Sequence, residues 1–187
     1  GRRQRQMCIR DRYKDLVFDL SSVAKGYAVD AVSNYLLANN FNNYLIDIGG
    51  EIAANGSSKS GLWTIGIQDP QLLQQKVSFT VPNSDNFIGV ATSGDYLNFK
   101  YIDGQLVSHS IDPRTIKSKD NNILSVTVLD DISVARADAF ATAFNVMNLN
   151  ESIEISESLN IKIKIIYVRD GLIEYFESKS WQNMEYD

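Results

Sequence analysis

A short apolar run, Leu16-Val17-Phe18, leads straight into DLSSVAKGYAVD, residues Asp19–Asp30, and this junction constrains the chain more than any other stretch. It reads as a strand end feeding a helix, with a carboxylate, two hydroxyls, a lysine and a glycine packed around the join. Helix starts of this kind are anion sites in waiting, because free backbone N–H groups and the positive end of the helix dipole face the same way. Ser21 or Ser22 is a good N-cap. Val23, Tyr27, Ala28, Val32, Tyr35 and Leu36 then recur at helical spacing, which predicts one apolar face.

Downstream, period-two patterns dominate. Strands are expected over Asn43–Ile48, Glu51–Ala54, Leu62–Gln68, Val77–Val81 and Phe87–Ala91, followed by a polar turn at Thr92–Tyr96. Phe99–Ile102 and Gln105–Val107 flank Asp103-Gly104, a strong hairpin signal. Ile123–Leu129 alternates cleanly. Ser133–Met147 is an Ala-rich helix, a second helix lies around Ile153–Leu159, and Ile161–Val168 with Leu172–Phe176 make a closing hairpin. Antiparallel strands with a few helices packed on them place the chain in the α+β class.

The bulk numbers exclude several functions. The 187 residues suffice for one domain with a core. Net charge is −5, and residues 1–12 alone hold five arginines against one aspartate, so the body is more acidic still. An acidic body argues against general nucleic-acid binding, whose affinity comes from neutralising phosphates. The tail 1–12 has no periodicity and reads as foreign to the folded body at 13–187. No segment approaches the roughly 18 apolar residues of a membrane span, and no signal peptide is visible. One cysteine, Cys8, and one histidine, His109, cannot furnish a zinc site, so any metal would be hard and oxygen-ligated.

Several residues then carry chemistry on more than one reading. Asp138 and Thr142, four apart in ARADAFATAF, share a helix face. They fit a pair of metal ligands, although spacing alone favours an exposed aspartate in a tightly packed Ala-rich helix. Lys25 is either solvated or waiting for an anion. Gly49-Gly50-Glu51 is either a bulge or bare backbone approached by a ligand. His109, beside Asp112 and Arg114 in SHSIDPRT, is either structural or catalytic.

Taken together and in order, DLSSVAKGYAVD, DIGGE (Asp47–Glu51), GIQDP (Gly66–Pro70), ATSGDY (Ala91–Tyr96), SHSIDPRT (Ser108–Thr115), SVTVL (Ser125–Leu129) and ADAFATA (Ala137–Ala143) resemble the ApbE family of FAD:protein FMN transferases. The resemblance implies a T-fold-like antiparallel sheet with packed helices. It implies Mg²⁺-dependent transfer of FMN from FAD to a Ser or Thr hydroxyl of a partner protein, with release of AMP. Hydrolysis of FAD to FMN and AMP, or inert flavin binding by a fragment, are the alternatives. By position, Asp138, Thr142 and an oxygen of Ser22 would hold the metal. Asp19, Lys25, Ile111, Ser93 and Gly49-Gly50-Glu51 would line the FAD cleft. His109 would bind FAD or move a proton at the scissile pyrophosphate. Relatives commonly carry glycine where this chain has Ser21-Ser22. They also extend further at the N-terminus, so 13–187 is read as an N-terminally truncated, partial flavin transferase domain. Acceptors would be flavoprotein subunits of membrane redox complexes. The setting would be the periplasmic side of the inner membrane, with a membrane tether in the full-length protein.

Overall fold

Alternating apolar residues build the centre of the molecule. A computed structural model describes residues 20–68, 76–80, 86–94, 99–102, 105–108, 111–114, 117–119 and 121–184. Helix α1 (Ser21–Ala38) is followed by strands β1 (Tyr44–Ile48), β2 (Glu51–Asn55), β3 (Thr64–Gln68), β4 (Lys76–Thr80), β5 (Ile88–Gly94), β6 (Phe99–Ile102), β7 (Gln105–Ser108), β8 (Ile111–Asp112), β9 (Lys117–Ser118) and β10 (Ile123–Asp130). Helices α2 (Val134–Val146) and α3 (Leu149–Ser158), strands β11 (Lys162–Arg169) and β12 (Leu172–Glu177), and the one-turn helix α4 (Lys179–Gln182) complete it. The six-stranded sheet runs β1-β2-β5-β10-β11-β12, antiparallel throughout. The pairs β3-β4, β6-β7 and β8-β9 stand apart as two-stranded ribbons.

Because side chains alternate along a strand, each central strand serves two cores. Ala91, Val126, Val128, Ile163 and Ile165 face α2 and α3, packing on Ala137, Ala141, Phe144 and Leu149. On the other face, Ile88, Val90 and Leu129 meet Ile65 and Ile67 of β3 with Trp181 and Met184. Helix α2 lies over β5 and β10, and α1 lies against α2, β1 and β2.

Three expectations change. The turn predicted at Thr92–Tyr96 is strand as far as Gly94, because Thr92, Ser93 and Gly94 pair with Thr127, Val126 and Ser125. Helix α1 starts one residue earlier than a serine cap would require: the Leu20 carbonyl accepts from Val23 N and Ala24 N, and the serines fall inside the first turn. The buried face of α1 is also not the apolar one. Gly26, Val29 and Ser33 are buried, whereas Tyr27 is 70% exposed and Val32 and Tyr35 are exposed as well. Small residues win that face because α1 crosses α2 at close range. A Cβ on Gly26 would sit 2.6 Å from the Val134 carbonyl oxygen and 2.7 Å from the Ala135 Cα.

Candidate functional site

The start of α1, the middle of α2 and the β1–β2 turn converge on one place. At the helix crossing, Gly26 N donates to Asp138 Oδ2 at 3.1 Å. In a regular α-helix that N–H reaches back to the carbonyl four residues earlier, here Ser22. The additional bond to Asp138 ties the second turn of α1 to the middle of α2. Asp138 is 5% exposed rather than solvated, and Thr142 lies one helical turn further along α2. Burial raises the Asp138 carboxyl above the ordinary carboxylate value, opposed by the Gly26 N–H and the charge of Lys25.

Lys25 has a protein partner. Its Nζ lies 2.6 Å from Glu51 Oε1, with the lysine side chain 49% exposed and the glutamate only 2%. An ion pair therefore accounts for a lysine close to a helix start without invoking an anion. Burial raises the Glu51 carboxyl; the Lys25 hydrogen bond and charge oppose the rise, and Asp138 adds to it. Glu51 Oε2 is buried and has no hydrogen-bond partner among the described residues.

Gly49-Gly50 is a tight hairpin turn, not a bulge: Ile48 pairs with Glu51 across it. Both glycines have positive φ, +65° and +100°, as the two-residue turns matching strand twist require. Gly50 N donates to Asp47 Oδ1 at 2.9 Å, which explains the aspartate of DIGGE. A side chain on Gly49 would begin 3.7 Å from Lys25 Cδ and 4.0 Å from Glu51 Oε2, so the turn lies directly beside the ion pair.

Ser93 reaches α2 at a different point. Its Oγ accepts from Asn145 Nδ2 at 3.3 Å, and Asn145 Oδ1 accepts from Lys119 Nζ at 2.6 Å. Asn145, fully buried, lies seven residues after Asp138 and escapes a reading by composition; its only signal is an amide at core spacing in an apolar helix. In SHSIDPRT, Asp112 Oδ1 accepts from Arg114 N at 2.8 Å, and Arg114 Nη1 reaches Glu151 Oε2 of α3 at 3.1 Å. These two residues shape the loop and tie it down, and Arg114 holds the Asp112 carboxyl below its usual value. Ile111 is seen as backbone in β8, paired with Ser118. Asp19 and His109 lie outside the described residues.

Asp30, the last residue of DLSSVAKGYAVD, also escaped the sequence reading. Its Oδ1 accepts from Val134 N at 2.8 Å; its Oδ2 accepts from Ser133 Oγ at 2.7 Å and Ala135 N at 3.0 Å. One carboxylate on α1 thus caps α2 across more than a hundred residues.

Among the described residues, no three His, Cys, Asp or Glu side chains converge to hold a metal. A set of one carboxylate, one hydroxyl and one main-chain oxygen is of a different kind. Asp138, Thr142 and a main-chain oxygen of Ser22 would offer oxygen only, the chemistry of a hard divalent cation, and the Glu51 carboxylate, near Asp138, keeps one oxygen unpartnered among the described residues. No helix among the described residues is long and apolar enough to cross a membrane.

The sequence model of the ApbE family matches residues 2–167. The FAD:protein FMN transferase of Vibrio cholerae serotype O1 is 39% identical over 166 residues, which are 88% of this chain and 49% of that protein. The solved flavin transferase ApbE from Vibrio cholerae superposes with a TM-score of 0.78 at 34% identity, covering 91% of this chain and 53% of that one. The flavinyl transferase ApbE of Pseudomonas stutzeri, in its apo form, gives 0.77 at 32% identity, covering 89% and 51%. The chain spans about half the length of the curated relatives it matches.

Proposed function

The chain belongs to the ApbE family, and on that premise we propose that the whole protein transfers FMN from FAD to a Ser or Thr hydroxyl of a partner protein, releasing AMP. What supports the reading is the meeting of Gly26 and Asp138, which brings the α2 carboxylate against the second turn of α1, beside Lys25. The acceptor hydroxyl attacks the phosphorus of the FMN half. The bond from that phosphorus to the bridging oxygen breaks, AMP departs with the bonding electrons, and the hydroxyl proton passes to a base, for which His109 is the proposed group.

Such a transfer needs positioning and charge stabilisation more than covalent help from the enzyme. Lys25, held at the lip by Glu51, supplies one fixed positive charge toward the pyrophosphate. Asp138, Thr142 and the Ser22 carbonyl would hold a divalent cation, Mg²⁺ on this reading. Once bound, the ion supplies the charge that polarises a phosphoryl oxygen. The Gly49-Gly50 turn keeps that side of the cleft free of side chains. We further propose flavoprotein subunits of membrane redox complexes as acceptors and the periplasmic side of the inner membrane as the setting; fractionation of expressing cells tests the latter.

The deciding experiment incubates the protein with FAD and Mg²⁺, with and without a purified acceptor. Covalent flavin on the acceptor, equimolar with AMP, is the expected result. AMP released equally without acceptor would replace transfer by hydrolysis. Asp138→Ala should lower turnover by at least about 100-fold, the loss typical of removing a group that stabilises transition-state charge.

A further inference from the structure

Glu51 has a role that its ion pair leaves unexplained. It opens β2 on the face covered by the helices and is 1% exposed. Lys25 occupies one oxygen at 2.6 Å; the other, Oε2, finds no donor among the described residues. Buried carboxylate oxygens are seldom left without a donor, because the desolvation goes uncompensated. The surroundings sharpen the point. The neighbouring charge of Asp138 repels that of Glu51, and Lys25 neutralises only one of the two carboxylates. A Cβ on Gly49 would lie 4.0 Å from Oε2, so the Gly49-Gly50 turn passes beside that oxygen.

We propose that Glu51 belongs to the cation site as an outer acceptor, its Oε2 receiving a hydrogen bond from a water carried by the divalent ion that Asp138 and Thr142 hold. Resting on the cation reading given above, it adds a residue to that site. Small divalent cations such as Mg²⁺ keep several waters when protein-bound, and carboxylates beyond the coordination shell orient those waters. The same residue then does two jobs: Oε1 fixes Lys25 for the pyrophosphate, and Oε2 fixes the hydrated ion.

The test uses Mn²⁺ as probe, titrated into the full chain without nucleotide and followed by the electron-spin resonance of the free ion. Glu51→Gln, left with a single acceptor that Lys25 claims, should bind Mn²⁺ about tenfold more weakly, the usual loss for an outer-shell residue. Glu51→Asp keeps the charge but withdraws the oxygen by one methylene, and should also lose several-fold. Affinity of the Gln variant within twofold of the parent overturns the proposal. So does full affinity in the Asp variant, which would reduce Glu51 to a remote charge. Should the Gln variant fail to fold, the Asp variant decides alone. Asp138→Asn separates the two levels: if it leaves Mn²⁺ binding unchanged, the cation reading itself fails; if it abolishes binding while both Glu51 variants keep it, only the role of Glu51 falls.

Discussion

Replacing Asp30 tests how the two halves of the site are held together. Helix α2 begins with backbone N–H groups that no earlier turn can satisfy. Their partners are identifiable: Val134 N and Ala135 N go to Asp30, Arg136 N goes to Ser133 Oγ at 3.3 Å, and Ala137 N goes to the Ser133 carbonyl at 3.2 Å. Asp30→Ala removes the first two and releases Ser133 Oγ. Loss of an N-cap side chain costs about 0.5–2 kcal/mol, and loss of a carboxylate at the positive end of a helix roughly 0.3–1 kcal/mol more. Val134 is fully buried, so its amide is poorly reached by water, and an orphaned donor there costs about 1–3 kcal/mol. These losses overlap, and the net expectation is about 2–4 kcal/mol. Asp30→Asn keeps one acceptor but turns an amide toward donors, so it should lose at least about half as much. Chemical denaturation with unchanged slope measures the difference. The Mn²⁺ titration should move with it, because Asp138 stands one turn beyond Val134 and Ala135 on the helix that Asp30 anchors. A change for Asp30→Ala within about 0.5 kcal/mol, the range of an ordinary surface substitution, would refute the claim that this carboxylate docks α1 on α2.

Three further outcomes are expected. Gly26→Ala gains about 1 kcal/mol of helix propensity yet puts a methyl group 2.6–2.8 Å from α2 backbone. A net loss of about 1–3 kcal/mol with weakened Mn²⁺ binding is expected, and a variant as stable as the parent would refute the close crossing. Burial raises the carboxyls of Glu51 and Asp138 above their ordinary 4.5 and 3.8, so without a cation the protonated forms favour the fold. That stabilisation is complete below the ordinary values and is lost as pH rises through the raised ones, whereas a cation binds the charged forms. The rise in Tm on adding Mg²⁺ should therefore grow as pH is raised above the ordinary carboxylate values, and a rise independent of pH would contradict it. Ser33 Oγ and Tyr44 Oη share a buried hydrogen bond of 2.6 Å. Ser33→Ala and Tyr44→Phe should each destabilise by about 1 kcal/mol, and the double variant by less than their sum, as melting curves will show; strict additivity would mean that the bond contributes nothing.

The parts of this fold that alternation encodes were legible. Ile123–Leu129, the closing hairpin and the Ala-rich helix stand where the patterns put them, because apolar packing within the sheet and against it sets their registers. The failure at α1 has a physical cause. A helix that docks through hydrophobic bulk announces its face in the sequence; one that docks through backbone proximity hides it. Besides Val29, which packs on Val134, its docking residues are small, like Gly26, or polar and satisfied, like Asp30 and Ser33. The large apolar residues Tyr27 and Tyr35 then fall on the outside and mimic a core face.

The same logic divides the candidate site. That Asp138 and Thr142 lie one turn apart on a single helix was readable because their spacing is local. The pairing of Lys25 with Glu51 spans 26 residues and that of Gly26 with Asp138 spans 112, distances at which no periodicity speaks. In DLSSVAKGYAVD, the described residues after the first turn are not all ligand residues. Lys25 pairs with Glu51, Gly26 lets α2 approach and lends its N–H to Asp138, and Asp30 caps the helix that carries Asp138. A motif that looks like an anion site is thus in large part a docking element. Its chemistry depends on that docking, since the carboxylate that would hold a cation is set in place by the backbone of the segment facing it.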